Sequence, residues 1–153
     1  MELRSGVARW FGGFLSRRSP AALDRTREDL VVVVSSFDDV EACSTTLERG
    51  AAGAPAWVPD AQAVLRHHLR LPSDRVQEAV DVAGQDDYAL ADEPVVDADG
   101  VATVLLERVQ LLDALHCSQE RSRMAGLAQR LGGTALGWRG CSRRPRGELG
   151  RAH

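Results

Sequence analysis

The chain has 153 residues, of which 44% are hydrophobic and 27% are charged. This length supports one domain with a modest core, and the charge content argues against a membrane protein. Lys, Asn and Ile are absent and all 19 basic residues are arginines, which indicates a high-GC bacterial gene, such as an actinobacterial one, rather than a nucleic-acid-binding surface.

The charges are unevenly distributed along the chain. Six arginines stand against two acids in residues 1–27, five against eighteen acids in residues 28–117, and eight against two acids in residues 118–153. An acidic body with basic ends indicates charged partners or self-association through the ends, including a homodimer. The alternative is that the basic ends are only solubilising and disordered.

The cysteines and the hydrophobic pattern indicate a cytoplasmic protein. Cys43, Cys117 and Cys141 are an odd number at unrelated spacings, so neither a zinc ribbon nor a disulfide framework is expected. Free thiols in a reducing compartment fit best. The sequence has no run of about 18 apolar residues, so no membrane insertion is expected, and its start is too polar for a signal peptide.

Residues 1–58 are interpreted as an N-terminal extension. An apolar face at helical spacing, flanked by arginines, predicts an amphipathic basic segment that docks on protein, lies on a membrane surface or stays disordered. The residues of that face are Val7, Trp10, Phe11, Phe14 and Leu15. A β-branched run predicts a strand at 30–35. Asp38 and Glu41 resemble the capping box of a short helix, and an Ala/Gly/Pro linker follows.

From residue 62 the pattern becomes regular. Alternation over 62–71 predicts a strand with one buried and one wet face, with His67 inward and Val64 and His68 outward. Ser73 is predicted to cap a first helix that ends at Gly84.

The second half of this region repeats the order of the first. A short strand at 88–91, a hairpin turn at 97–100 and a buried strand at 101–109 are predicted. Ser118 is predicted to cap a second helix, and a last strand at 134–141 carries Trp138. The order strand, helix, strand, strand, helix, strand predicts an α+β, ferredoxin-like βαββαβ sandwich with a four-stranded antiparallel sheet over residues 59–141. Residues 142–153 are interpreted as a basic disordered tail.

The same residues resemble the regulators of ribonuclease E activity, B type, over about residues 59–141. The shared features are Pro59-Asp60-Ala61, a strand ending His67-His68-Leu69, Tyr88 in the second strand, an acidic stretch at 92–100, Leu112-Asp113-Ala114 and Gly137-Trp138. Members of that family are small cytoplasmic proteins with a ferredoxin-like fold, and the type member inhibits RNA decay by binding the ribonuclease. The resemblance therefore implies a non-catalytic protein that binds ribonuclease E or an associated RNA-decay protein.

Catalytic and metal-binding roles are considered for the histidines and cysteines. His67 and His68, with His116, Cys117 and Cys141, are residue types that bind metals. Adjacent strand residues point to opposite faces, so His67 and His68 do not readily share one ion. Cys117 next to His116 is a poor nucleophile candidate, because sequence neighbours diverge in space. We predict no metal, no cofactor and no catalytic residue, and assign structural roles to His67, His68 and Trp138.

An acidic rim is the predicted partner-binding surface. It consists of Asp92, Glu93, Asp97 and Asp99, and such a patch attracts arginine-rich segments. RNA binding by the open sheet face would need exposed aromatic residues. The predicted outward residues contain none, so nucleic-acid binding is not expected; they are Val64, Arg66, His68, Arg70, Thr103 and Leu105.

The sequence thus favours a non-catalytic regulator of mRNA turnover that binds a protein of the RNA-decay machinery. Two alternatives stay open: a small-ligand or metal-binding domain, and an RNA-binding accessory protein.

Overall fold

The fold is known from a computed structural model that describes residues 23–144. The predicted amphipathic segment at 7–15 and residues 145–153 of the predicted tail lie outside the described residues. The elements are β1 (Leu30–Ser36), α1 (Cys43–Ala51), β2 (Gln62–Pro72), α2 (Val76–Gly84), β3 (Ala89–Leu90), β4 (Val95–Val96), β5 (Val101–Leu111), α3 (Ala114–Arg130) and β6 (Thr134–Arg143).

All described strands belong to one antiparallel sheet. Its order is β1-β6-β2-β5-β3, and β4 pairs with β5 beside β3. The predicted α+β class is confirmed, with six strands and three helices in the described residues. β1, which the sequence places in the extension, pairs with β6 from Leu30 opposite Arg143 to Ser36 opposite Trp138. β6 continues to Arg143, so the first two residues of the predicted tail are strand.

The hydrophobic core lies between one face of the sheet and the helices. α2 and α3 cover inward residues of β2 and β5, among them Leu69 and Val104. α1 and the start of α3 cover Leu65 and Trp138 in a second cluster. Because these residues alternate with outward ones along each strand, the three helices share one face of the sheet.

The opposite face is not uniformly wet. Val64, predicted to face water, has no exposed surface, and Glu107 is only 2% exposed. The chain before β1 runs along this side, since the Leu23 amide donates to the Gln62 side chain and the Arg25 guanidinium contacts Glu107. Strand alternation assigns each residue to a face but does not report what covers that face.

The helix starts differ from the predicted caps. α3 begins at Ala114, and its cap is Asp113, whose side chain accepts from the His116 amide at 2.7 Å. Ser118 lies one turn inside the helix. At α1, Asp38 accepts from the Val40 amide at 3.0 Å in a turn before the helix, and the capping residue, an alanine, makes no side-chain bond. Ser73 likewise begins a short 3-10 turn ahead of α2 without a side-chain cap.

Candidate functional site

The acidic rim lies along the outer edge of the sheet. Asp92 and Glu93 are exposed in the bend between β3 and β4, and Asp99 is exposed in the turn that leads into β5. None of the three forms an ion pair with a residue in the range 23–144. Within the described part of the chain, these three carboxylates are therefore open to a cationic partner.

Asp97 differs from the rest of the rim because its carboxylate holds the turn. It accepts from the amides of Asp99 at 2.9 Å and Val101 at 3.1 Å, and it pairs with Arg70 at 2.6 Å. The hydrogen bond from the Val101 backbone amide is the main reason that the pKa of Asp97 lies below its usual range. Replacing Asp97 would disturb the hairpin as well as the surface charge.

A buried polar cluster joins β2, α3 and the residue before β3. The Tyr88 hydroxyl donates to Glu120 Oε1 at 2.8 Å and lies 3.4 Å from His67 Nε2. Glu120, 4% exposed, also pairs with Arg123 at 3.1 Å and Arg108 at 3.3 Å. The Arg108 guanidinium stacks on the Tyr88 ring, 4.6 Å from its centroid.

Burial sets the protonation states in this cluster. It raises the pKa of Tyr88, aided by the hydrogen bond to Glu120, and lowers the pKa of His67 to about 3, aided by the charge of Arg108. His67 is therefore neutral and Tyr88 protonated near pH 7, while two arginines balance Glu120. Glu120 thus links α3 to Tyr88 and to Arg108 of β5, and loss of a partner would leave a buried charge uncompensated.

On the opposite sheet face, the structure brings together a basic and aromatic patch. Phe37, just after β1, is 48% exposed and lies edge-on to His68 with ring centroids 5.1 Å apart. The Arg139 guanidinium lies 5.2 Å from the centroid of the Phe37 ring. Burial, foremost, and the charges of Arg139 and Arg66 lower the pKa of His68. This patch carries the aromatic ring that the predicted outward residues lacked.

A groove of about 280 Å³ lies between α3 and the first half of β6. Met124 and Ala125 line it from α3, and Leu136 and Trp138 line it from β6. Ser36, the last residue of β1, and the following Asp38 and Asp39 complete the lining. Trp138 is 1% exposed, and its indole N–H has no partner among residues 23–144. Trp138, for which a structural role was predicted, forms part of the wall of this groove.

One edge of the groove is unpaired strand. β2 pairs with β6 from Thr134 onward, but β1 pairs only from Trp138 to Arg143. Residues 134–137 thus have no described strand on the β1 side. The segment after β1 passes close to β6 at Gly137 before it turns away. Only glycine leaves room for it, because a Cβ at position 137 would lie 2.5 Å from both the Phe37 ring and the Ser36 carbonyl oxygen.

The remaining candidate ligands and nucleophiles are dispersed. His67 and His68 face opposite sides of the sheet, as their partners in β6, Trp138 and Gly137, show. His116 is exposed and bonds Asp113 at 2.6 Å. Burial raises the pKa of Cys117 to about 12 and also raises the pKa of Cys141, which works against a thiolate at either position. No group of three His, Cys, Asp or Glu residues suited to a metal ion occurs within residues 23–144.

Neither the buried cluster around Glu120 nor the groove was predicted from the sequence, and only the cluster has a local signal in it. Glu120 falls one turn before Met124 on the stripe that continues to Leu127 and Leu131. A carboxylate on an apolar stripe needs a buried partner, and Tyr88 is the only tyrosine. The groove had no such signal, because it depends on where β1 leaves β6.

Comparison of the chain with protein families, with curated proteins and with solved structures finds no match in any of the three. Among residues 23–144, the helices are too short or too polar to cross a membrane.

Proposed function

We propose that this protein is a non-catalytic, cytoplasmic regulator that binds ribonuclease E or an associated RNA-decay protein and so modulates mRNA turnover. The proposal includes a ferredoxin-like core. Its support is that β6-β2-β5-β3 follows the strand order of a βαββαβ sheet, with α2 and α3 on one face. The resemblance of residues 59–141 to ribonuclease E regulators supplies the class of partner.

The observation that carries the proposal is the exposed acidic edge at Asp92, Glu93 and Asp99. Several other acids on or near the sheet are paired with arginines, for example Glu107 with Arg66 at 2.8 Å. Three carboxylates without a described cation favour an encounter with an arginine-rich segment, and that attraction weakens as salt rises.

The test is affinity capture from an actinobacterial lysate at low salt, followed by binding to purified ribonuclease E. The triple charge reversal of Asp92, Glu93 and Asp99 to Arg should weaken binding by about tenfold or more, mostly through a slower association rate. Asp97 is left intact because it holds the turn.

The matched control reverses three exposed acids elsewhere, namely Glu28, Glu48 and Asp60. This control has the same net charge as the test variant and should bind nearly as the parent does. An equal loss of binding affinity in both variants would show that the effect comes from net charge alone. Absence of ribonuclease E and its associates from the captured fraction would remove the main support for the proposal.

RNA binding is the second candidate, favoured by the patch of Phe37, His68 and Arg139. An exposed ring beside arginines on a sheet face can stack a base and pair a phosphate. Phe37→Ala and Arg139→Ala should each weaken a gel shift with single-stranded RNA if this candidate holds. Unchanged binding in both variants, or no binding by the parent at low salt, would count against it.

A further inference from the structure

We propose that the groove between α3 and β6 binds an extended peptide segment of a partner protein, with an arginine next to an apolar side chain. The proposal rests on the proposed function, since it names a second place where a protein partner is held. The groove lies beyond β6, on the β1 side of the sheet, whereas the acidic rim lies along the β3 and β4 edge.

The unpaired backbone of β6 is suited to bind an extended peptide. Thr134, Ala135 and Gly137 pair with β2 on one side, and residues 134–137 have no described strand on the other. An exposed strand edge next to a helix is the geometry in which a peptide adds as a further strand. The addition is short, because β1 already occupies β6 from Trp138 onward and the bulge at Leu136 interrupts the register.

The lining of the groove calls for an apolar side chain. Met124, Ala125, Leu136 and Trp138 contribute its walls. Leu136 is 40% exposed, which leaves apolar surface uncovered in this region. Burying such surface under a partner side chain stabilises a complex, and side-chain pockets beside an added strand give it specificity.

The charge at one end of the groove calls for an arginine. Asp38 and Asp39 line the groove and are exposed, and Asp39 forms no hydrogen bond or ion pair with a described residue. The basic residue of the lining, Arg121, donates to the Glu41 carbonyl oxygen at 2.6 Å and is thereby held. A guanidinium presents five N–H donors in a planar fork that matches carboxylate geometry, whereas a lysine ammonium offers a single compact charge.

The test uses the full chain and synthetic capped ten-residue peptides in which Val or Leu alternates with Arg, measured by fluorescence anisotropy. Ala125→Arg fills the groove and repels the peptide, so Kd should rise by about tenfold or more. Gln119→Arg adds the same charge to an exposed position of α3 outside the groove and should leave Kd within about twofold. A peptide with N-methylated backbone amides keeps its charge but loses strand hydrogen bonds, and it should bind weakly.

A second pair of variants examines the arginine. Asp39→Arg should weaken the arginine peptide while Asp60→Arg, at an exposed position outside the lining, should not. Equal Kd values for the parent, Ala125→Arg and Asp39→Arg, or equal binding of the N-methylated peptide, would overturn the proposal. So would a dimer of the parent that Ala125→Arg alone dissociates in sedimentation, because the occupant would then be a second copy.

These measurements are independent of ribonuclease E. If the peptides bind as expected but no RNA-decay protein is captured from lysate, the proposed function fails and the groove stands. If ribonuclease E is captured and the variants leave peptide binding unchanged, the groove fails and the proposed function stands.

Discussion

At the scale of single residues, His67 is a histidine buried in the middle of the sheet. It is 2% exposed, lies between Leu106 of β5 and Trp138 of β6 in the sheet register, and has the Tyr88 hydroxyl near its ring. Its neutral form is favoured by burial, so the folded state resists taking up a proton that the unfolded chain accepts readily.

This difference predicts a pH dependence of stability. His67 titrates near 6.5 when unfolded and near 3 when folded, so the unfolded state binds the extra proton between these values. The free energy of unfolding should therefore fall as pH drops from about 6.5 towards 3, by up to about 1.4 kcal/mol per pH unit from this group. Urea unfolding across that range should show a shallower slope for His67→Leu than for the parent, and equal slopes would contradict this prediction.

A second residue-scale prediction concerns two glycines. At Gly133 a Cβ would lie 2.7 Å from Leu71 Cδ2 and closer still to the Arg70 carbonyl oxygen, whereas Gly126 in α3 has open space around it. Gly133→Ala should lower the free energy of unfolding by about 1–3 kcal/mol or more through overpacking. Gly126→Ala should raise it by about 0.5–1 kcal/mol, because alanine favours a helix. Thermal melts that give the two variants the same sign would contradict this.

At the scale of elements, the regular strands could be predicted and the helix starts could not. Alternation over 62–71 locates β2 to within one residue, since the observed strand is Gln62–Pro72. A cap depends on a single side-chain bond, and Asp113 and Ser118, five positions apart, are both residue types that form one. The structure selects Asp113, because α3 begins at Ala114.

The choice of cap can be measured. Asp113→Ala removes the bond to the His116 amide and should destabilise the fold by about 0.5–2 kcal/mol. Ser118→Ala, inside the helix, should be neutral or slightly stabilising because alanine has the higher helix propensity. Denaturant midpoints of the two variants decide between the caps, and equal losses would argue against Asp113 as the cap.

At the scale of the whole molecule, the buried face of a single strand or helix can be predicted, but the packing between distant elements cannot. The helical spacing of Met124, Leu127 and Leu131 is enough to indicate the inward stripe of α3. The cover that α1 provides for Leu65 and Trp138 has no such signal, because it requires β1 to pair with β6 about 100 residues away. Such pairing is set by the complete sheet, which no local pattern records.

The role of β1 and α1 predicts the behaviour of a fragment. Residues 59–153 contain the whole region of the family resemblance and one tryptophan, Trp138. Without Val34 and Leu47, which belong to the same cluster as Trp138, Trp138 should become wet and its fluorescence should shift to longer wavelength. The control is the full chain with Trp10→Phe and Trp57→Phe, which carries the same single reporter. Cooperative unfolding and unshifted emission of the fragment would show that it folds alone.

The two ends of the sheet are unequal, and this limits how copies of the chain could join. β1 presents seven residues rich in valine at one end, while the other end is divided into two strands of two residues each with acids between them. The Arg49 guanidinium donates to the Ser35 carbonyl oxygen at 2.9 Å and so occupies the end of the β1 edge. Strand pairing between copies would therefore use the first part of β1 on both molecules. Such a contact has two-fold symmetry and uses the same edge of both molecules. Assembly would therefore stop at a dimer and would not continue into a filament.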